Sequence, residues 1–325
     1  MLIGQQSDVG PAIAFAPLLN CLVFAWRGVG NNAVNVALSS TSNNNINSLG
    51  GVYTSPTETT SDTPAVSVAA NGAIYIAWKG VDNNDLSVAQ LGIDTAHPGV
   101  PTVSGFTGKT SFLGVSGSFP SLYFFEHNYL SFASAAGELI SFITTDTNPP
   151  NLLTVSNEST ALTPVMNDCI NTIDSRGFFI GWVGSGNGQL NVLLLSGGSF
   201  YWGGDQTKYT STNTSPSAFS IGYIPDRMFL AWRGSGNNQL NIMREDQWLT
   251  NSANTLAATT DASPAICGYK DVNGIYYLAL AWKGFGNQDL NVEILSQDMG
   301  IVAQTDLQWK NVTKVKLPHD KIKVW

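Results

Sequence analysis

Charged side chains are scarce in this 325-residue sequence, where Asp, Glu, Lys and Arg together make up 12%. A typical soluble domain has about 25%, so Asn, Ser, Thr and Gln must supply most of the surface polarity. Such a surface is more common in sugar-binding proteins than in housekeeping enzymes. The 15 Lys and Arg residues, against 23 Asp and Glu, are too few and too scattered for a nucleic-acid-binding surface. The lysines near the C-terminus are interpreted as a basic edge or tail: Lys310, Lys314, Lys316, Lys321 and Lys323.

Cysteine and histidine are also rare, with three of each. An odd, sparse set of cysteines provides no disulfide framework, and no CxxC pair or His/Cys cluster indicates zinc. The Asn- and Asp-rich turns lack the carboxylates and the spacing of a calcium loop, so no metal and no other cofactor is predicted. Buried free thiols are expected at Cys21, Cys169 and Cys267. No histidine lies in a frame for nucleophilic catalysis, so structural or solvent-facing roles are expected for His97, His127 and His319.

Long apolar runs are missing as well. No segment approaches the ~18 apolar residues of a membrane-spanning helix, so no membrane span is expected. Residues 1–10 have neither a charged start nor a long apolar stretch and do not resemble a signal peptide. We therefore expect a cytoplasmic protein or one released by a leaderless route.

What the sequence does contain is a repeat. Residues 24–38 read FAWRGVGNNAVNVAL, and related segments occur at 76–90, 180–194, 230–244 and 280–294. They share the frame [AG]-W-x-G-x-[GD]-N-x-x-[LV]-[NS]-[VI]. The tryptophans of this frame lie about 50 residues apart, except for one interval twice as long: Trp26, Trp78, Trp182, Trp232 and Trp282.

A degenerate copy fills the long interval. In residues 129–142, YLSFASAAGELISF, Phe132 stands where tryptophan is expected, and residues 139–142 take the place of the LNV segment. A second marker agrees, because a proline opens an apolar segment 12 to 18 residues before each of these aromatic residues. The prolines are Pro11, Pro64, Pro120, Pro164, Pro216 and Pro264. The sequence therefore contains six copies, of which the third is degenerate.

The residue pattern of each copy predicts four short strands. The proline opens the first strand, where its missing N–H costs nothing; the run ending in Ala-Trp is the second. The G-x-G-N segment is a turn, the LNV run is the third strand and a Thr/Ser-rich segment is the fourth. No segment has a sustained helical period. Four strands per repeat of about 50 residues make one propeller blade, so we predict an all-β fold: a six-bladed β-propeller of four-stranded antiparallel blades, as a single domain over residues 1–325.

Two details of packing follow. Residues 3–11 resemble the passage at 57–64 between two copies, so the N-terminus is expected to add an outer strand to the last blade, with residues 305–325 as the competitor.

Strand alternation puts Trp232 on one face and Ala231 and Arg233 on the other. A large tryptophan opposite a small alanine would let neighbouring blades nest, so a core role is the structural interpretation of the tryptophans. Arg233 is then either a solvated charge at the rim or part of a pocket.

The polar residues of the frame recur as faithfully as the apolar ones, although a core alone does not require them. Turn chemistry and capping are the structural interpretation of the asparagines. A polar pocket repeated around the ring is the functional alternative, because amides and cations bind sugar hydroxyls and an aromatic face packs on sugar C–H groups. In the frame, Ser87 replaces an asparagine and Val183 a cation. The candidate ligand-binding residues are Trp26, Arg27, Asn31, Asn35, Trp78, Lys79, Asn83, Trp182, Asn187, Asn191, Trp232, Arg233, Asn237, Asn241, Trp282, Lys283, Asn287 and Asn291.

The repeats resemble the tandem AWKG units of bacterial and fungal β-propeller proteins. They are also similar to propeller lectins, including six-bladed fungal lectins that bind fucose or N-acetylglucosamine. This resemblance implies sites between neighbouring blades, best kept in copies one, two, five and six and lost in copy three. The leading hypothesis is therefore a multivalent lectin, an agglutinin that binds terminal sugars of glycoconjugates without catalysis. Whether it forms a homo-oligomer is left open.

Two other functions compete. A protein-interaction or toxin-associated propeller scaffold would present its loops to a partner protein. A glycoside hydrolase-like enzyme would need converging carboxylates, for which the candidates are Glu126, Asp168, Asp174 and Asp226. The arginine cluster and the SxDxGxTW boxes of sialidase-type propellers are missing, so no catalytic residue is predicted.

Overall fold

A computed structural model describes residues 5–41, 49–96, 99–114, 120–125, 127–133, 140–144, 151–154, 165–174, 177–184, 186–196, 206–225, 227–247, 253–297 and 301–304. The strands of its first half are β1 (Ala12–Ala16), β2 (Cys21–Arg27), β3 (Ala33–Ser40), β4 (Tyr53–Thr59), β5 (Ala65–Val68), β6 (Ile74–Lys79), β7 (Leu86–Asp94), β8 (Thr102–Phe112), β9 (Ser121–Phe125), β10 (His127–Ala133), β11 (Ile140–Thr144) and β12 (Asn151–Thr154). Those of its second half are β13 (Val165–Asp174), β14 (Gly177–Gly184), β15 (Gln189–Ser196), β16 (Gln206–Thr214), β17 (Ser220–Ile224), β18 (Arg227–Arg233), β19 (Gln239–Arg244), β20 (Asn254–Thr259), β21 (Ala265–Lys270), β22 (Tyr276–Lys283), β23 (Leu290–Ser296) and β24 (Ile301–Gln304). Within these ranges the only helical element is a 3₁₀ turn at Glu245–Gln247.

Every four consecutive strands form one antiparallel sheet, and the described residues form six such sheets, sheet 1 to sheet 6 in chain order. The first strand of each sheet contacts the first strand of the next sheet, and β21 contacts β1. The sheets therefore close a ring around a central axis, which is the architecture of a β-propeller. The predicted all-β class and the four-stranded antiparallel unit are confirmed.

Strand register shows that the copies are aligned as the sequence predicts. Trp26 lies opposite Asn35 of the next strand, and Trp78 lies opposite Ser87. In sheet 3, Phe132 lies opposite Ser141, which is the same place in the ladder. The third copy has therefore lost its tryptophan but kept its register.

The prolines mark the first strands with one exception. In five sheets the first strand begins at the residue directly after the proline, as at Pro11 and Pro264. In sheet 5, β17 begins only at Ser220, four positions after Pro216. The expectation that proline opens this strand is wrong there, because Pro216 lies inside the turn of the link, directly after Ser215, whose hydroxyl donates to the Ser217 carbonyl at 2.6 Å. Thr60 and Thr260 close the same turn before sheets 2 and 6, but there the proline comes four positions later.

Sheet 6 is completed by β24 and by residues near the N-terminus, while the competing segment 305–325 lies outside the described residues. β24 pairs with the second half of β23, from Glu293 to Leu295. The N-terminal segment pairs at the beginning of β23: Gln6 bridges Asp289, and the Ser7 N–H donates to the Gln288 carbonyl at 2.8 Å. Residues near the N-terminus therefore join the last sheet, as predicted, and β24 shares that place with them.

The core lies between neighbouring sheets, and the Ala-Trp pair explains how they nest. Trp78 of sheet 2 packs in one cluster with Ala25 of sheet 1, and Trp26 packs with Ala281 of sheet 6. Trp282 packs in the same way against Ala231. Each of these tryptophans faces the preceding sheet, and the alanine beside it faces the following one. The structural interpretation of the tryptophans is confirmed, because a large ring from one sheet fills the space above a small residue of the next.

Candidate functional site

The frame residues gather on one face of the ring. In sheets 1, 2, 5 and 6 the second strand ends at the Trp-cation-Gly segment, and the turn to the third strand follows. The link from each fourth strand to the next sheet ends on the same side, because neighbouring antiparallel strands run in opposite directions. We call this side, formed by the frame turns and the links, the frame face. It brings the frame cations and turn asparagines close to the links between sheets.

The tryptophans of the frame lie beneath this face rather than on it. Their exposed fractions are all 6% or less, so the indole rings offer no surface to a ligand: Trp26, Trp78, Trp182, Trp232 and Trp282. The groups available to a ligand on the frame face are therefore the polar residues of the turns and links.

The turn asparagines close their own turns. In all five described copies, the Oδ1 atom accepts a hydrogen bond at 3.0–3.1 Å from the backbone N–H two positions later. The frame glycine three positions earlier is needed for this, because a Cβ there would lie 2.3–2.4 Å from the same oxygen. The structural interpretation is confirmed, although the residues are exposed and their Nδ2 groups lie at the surface: Asn31, Asn83, Asn187, Asn237 and Asn287.

The asparagines of the third strands act inside the sheet. Asn35 donates from Nδ2 to the Ala33 carbonyl at 3.1 Å, and its Oδ1 accepts from the Thr54 hydroxyl at 2.6 Å. The register between the third and fourth strands shifts here, so the amide replaces ladder bonds that the bulge removes. Ser87 takes this place in sheet 2 and bonds to Ser111 at 2.9 Å. The same Nδ2 bond to the carbonyl two positions earlier is made by Asn191, Asn241 and Asn291.

Two frame cations join neighbouring sheets. Arg27 pairs with Asp8 in the link before sheet 1, with 3.2 Å between Nη2 and Oδ2, and its Nη1 donates to the Ser61 carbonyl in the link after sheet 1. Lys283 is 6% exposed and forms an ion pair with Asp261 in the link before sheet 6. These cations therefore hold the sheets to the links at the frame face.

The other two cations differ because no acid directly follows the first Ser or Thr of the preceding link: Ser61 stands there before sheet 2, with Asp62 one position later, and Pro216 stands there before sheet 5. Arg233 donates from Nε and Nη2 to Asn238 Oδ1 at 2.8 and 2.6 Å, and from Nη1 to the Asp261 carbonyl at 2.8 Å. The interpretation of Arg233 as a solvated rim charge is therefore wrong, since all three nitrogens are bonded. Lys79 is half-buried near Asp62, and the described residues contain no hydrogen-bond partner for its Nζ.

The acidic residues of the links were not among the candidate site residues chosen from the sequence. Asp8, Asp62 and Asp261 each follow a Ser or Thr and precede, by two or three positions, the proline that opens the next sheet. This recurring Ser/Thr-Asp pair is the signal that would have found them. Burial raises the pKa of Asp62, while a hydrogen bond from the next backbone N–H and two frame cations oppose that rise. The links thus carry one carboxylate at each of three neighbouring junctions between sheets.

The groove between sheets 5 and 6 holds the most complete set of groups. Asp261 accepts from Lys283 at Oδ1 and from the Gly286 N–H at Oδ2, 3.3 Å away, and Arg233 reaches its carbonyl. Phe285, on the frame turn beside it, is 50% exposed. A carboxylate, two cations and an exposed aromatic residue therefore lie at one junction between sheets, which is what the groove between sheets 5 and 6 denotes. The other described copies have no aromatic residue at this turn position: Val29, Val81 and Ser235.

Several sequence-based candidates lie outside the described part of the chain. This holds for Glu126 and Asp226, for the side chains of Asp168 and Asp174, and for the C-terminal lysines. His97 and His319 lie outside it too, as do the side chains of His127 and Cys169. Cys21 is a buried free thiol, as expected, whereas Cys267 is free but only half-buried. Among the described residues, no cluster of three His, Cys, Asp or Glu could hold a metal ion, and no helix is long and apolar enough to cross a membrane.

The fold is similar to solved structures. AofleA from Arthrobotrys oligospora has a TM-score of 0.63 and 9% identity, and the match covers 91% of this chain and 85% of that one. An AofleA mutant with three arginines replaced by alanine also has a TM-score of 0.63, with 8% identity and 93% and 88% coverage. The Cps50 (Swd1) β-propeller domain from Myceliophteria thermophila has a TM-score of 0.50, 8% identity and 88% and 96% coverage. No protein-family model and no curated protein matches the chain. These identities establish the propeller fold alone.

Proposed function

We propose that this β-propeller is a multivalent carbohydrate-binding protein without catalytic activity, with sites in the frame-face grooves between neighbouring sheets. The groove between sheets 5 and 6 carries the proposal. A sugar ring has an apolar C–H face and a rim of hydroxyls, and Phe285 offers an exposed aromatic surface for the first. Asp261, whose side chain is 31% exposed and is held by the buried Lys283, offers a charged acceptor for the second.

Two neighbouring grooves repeat the polar part of this arrangement. Between sheets 6 and 1, Asp8 binds Arg27 and accepts from Gln288 Nε2 at 3.1 Å, and its side chain is 26% exposed. Between sheets 1 and 2, Arg27 Nε and Ser61 Oγ are buried without a hydrogen-bond partner in the described residues. Neither atom has accessible surface, so the group that a ligand in this groove would meet is Lys79, whose Nζ has no hydrogen-bond partner among the described residues.

The comparison with AofleA supports placing the frame arginines in the proposed sites. The mutant of that protein replaces three arginines spaced at equal intervals, as a repeat would place them. In this chain, Arg27 and Arg233 hold the cation position of the frame in two copies. We therefore assign these two arginines, with Lys79 and Lys283, to the sites of copies one, two, five and six. Copy three, with Phe132, and copy four, with Val183, are expected to contribute little.

Several weak sites on one rigid ring give strong binding to a surface that displays many sugars. Linked sites can raise avidity by ~10²–10⁴ without any new contact. A glycan array with the intact protein tests the proposal, followed by agglutination of glycan-coated beads. A folded protein that binds no glycan would overturn it. A stoichiometric protein partner that free sugars do not displace would favour the scaffold function, and cleavage of chromogenic glycosides would favour the enzyme.

The groove between sheets 5 and 6 can be tested separately. Phe285→Ser introduces the residue found at this turn position in copy five, so the turn should be preserved. We expect it to weaken binding of the sugar selected on the array and to lower agglutination only in part, since other grooves remain. Leu113→Ser is the matched control, because Leu113 is 76% exposed and lies outside the frame. Equal binding by the two variants would remove Phe285 from the site.

A further inference from the structure

The links before sheets 2 and 6 begin with the same turn, in which a threonine hydroxyl donates to the carbonyl two positions later. The donor–acceptor distances are 2.8 Å from Thr60 and 3.0 Å from Thr260. This shared turn aligns Ser61 with Asp261. The frame arginine of the preceding sheet also donates to the backbone carbonyl of each of these two residues. The groove between sheets 1 and 2 is therefore built like the groove between sheets 5 and 6, with the acid replaced by serine.

The replacement leaves one frame cation without a partner. Lys283 pairs with Asp261, whereas the Ser61 hydroxyl makes no hydrogen bond in the described residues, which also contain no hydrogen-bond partner for Lys79 Nζ. Arg233 has no acid at this position either, but it bonds within its own frame turn. Because Lys79 is half-buried, solvent screens its charge less than it screens that of a fully exposed lysine.

The acids near Lys79 favour a ligand with a single negative charge. Asp62 is close enough to interact electrostatically with Lys79, but no ion pair joins them, and the Asp62 Oδ1 atom accepts from the Thr63 N–H at 2.8 Å. Asp82 and Asp85 follow on the frame turn of the same sheet. A dianion such as a phosphate would be repelled by these three carboxylates, whereas one carboxylate matches the one unpaired ammonium group.

We propose that the groove between sheets 1 and 2 binds the carboxylate of an acidic sugar, such as a uronic acid, on Lys79 Nζ. The carboxylate of the ligand takes the place that the Asp261 side chain has beside Lys283, as a charge-assisted hydrogen bond. Val81 stands where Phe285 offers an aromatic surface in the other groove, so the charge supplies the affinity here. The inference rests on the proposed carbohydrate binding and assigns a distinct class of sugar to one groove.

Ligand-observed NMR titration of the intact protein tests the inference with matched pairs of probes. The methyl glycosides of glucuronic, galacturonic and mannuronic acid are each compared with the corresponding carboxamide, which keeps the shape and loses the charge. We expect at least one acid to bind about tenfold more tightly than its amide, which is the effect of one charge-assisted hydrogen bond. Equal affinities in all three pairs would overturn the inference, while neutral sugars bound on the glycan array would leave the carbohydrate function standing.

Two variants locate the preference for the acid. Ser61→Asp supplies the acid found at this position before sheets 1 and 6, so it should pair with Lys79, raise the urea unfolding midpoint and abolish the preference. Lys79→Gln removes the ammonium group and should abolish the preference without raising the midpoint; it decides the question if Ser61→Asp does not fold. Lys270→Gln is the matched control, because Lys270 is exposed at the end of β21, on the face opposite the frame, and the preference should persist. A preference that survives Lys79→Gln would overturn the assignment.

A tri-aspartate peptide distinguishes a protein ligand from a sugar, because it carries carboxylates without a sugar ring. We expect it to bind more weakly than the preferred uronic acid. Tighter binding of the peptide than of all three acids, lost in Lys79→Gln, would assign the groove to an acidic protein segment and overturn the sugar class.

Discussion

Replacing Arg27 by alanine should destabilise the ring, whereas the same change at Lys79 should not. The two residues hold the same position in adjacent copies of the frame. Arg27 binds Asp8 before sheet 1 and the Ser61 carbonyl after it. Lys79 has no such partner for its Nζ among the described residues. The pair therefore separates a cation that joins sheets from a cation that does not.

The magnitude follows from the two partners that Arg27 loses. Each hydrogen bond contributes about 0.5–1.5 kcal/mol net. The side chains of Arg27 and Asp8 are 18% and 26% exposed, so solvent screening keeps the ion pair toward the lower end of that range. We therefore expect Arg27→Ala to lower the free energy of unfolding by about 1–3 kcal/mol. Lys79→Ala should change it by less than about 0.5 kcal/mol.

Equilibrium unfolding in urea, followed by tryptophan fluorescence, measures both values. Repeating it in ~1 M salt, where the screening length falls to about 3 Å, should reduce the loss at Arg27 but not abolish it, because the bond to the Ser61 carbonyl remains. A loss at Lys79 equal to that at Arg27 would refute the assignment of Arg27 as a link between sheets. If the assignment holds, glycan binding by variants of the frame cations must be compared at equal fractions of folded protein.

Trp232→Ala should lower the free energy of unfolding by about 3–5 kcal/mol, because a ring 2% exposed leaves a large cavity; urea unfolding measures it. Asp82→Gly should stabilise the protein by about 0.5–1 kcal/mol, because Asp82 has φ 60, where four other described copies have glycine; thermal unfolding measures it. Burial raises the pKa of Cys21 from 9.0 to about 11. The unfolded chain therefore ionises first, and stability should fall as pH rises from about 9 to about 11; Cys21→Ala should make that fall shallower, while Cys267, whose pKa burial also raises, retains its share.

The fold could be predicted because its signals are local and repeated. Trp26 and Trp78 lie in segments whose strand period, turn residues and proline markers all agree, and the register confirms each alignment. The role of the turn asparagines could also be predicted from the sequence, because Asn31 bonds to an N–H only two positions away. Even the degenerate third copy could be placed, because Phe132 keeps the ladder position of the lost tryptophan.

The site was harder to predict because its contacts cross between sheets. Whether Arg233 is solvated depends on Asn238 and on Asp261, 28 positions away, and nothing in its own copy shows the second partner. Strand alternation correctly predicts the face of the strand on which Arg233 lies, but it does not predict which groups of the neighbouring link Arg233 contacts. Phe285 was not selected because the frame treats its position as variable, and only the three-dimensional arrangement places it beside Asp261.

Pairing of the N-terminal segment with the last sheet sets an order of events during synthesis. Gln6 and Asp289 are 283 positions apart in the chain yet adjacent in the ladder. While a ribosome is still producing the last repeat, the first sheet has no neighbour on one side, and its apolar face, including Trp26, has nothing to cover it. The ring can therefore close only as a late step. Until then, that face could pair with the same face of another growing chain, so aggregation should be most severe when translation stalls before the sixth repeat.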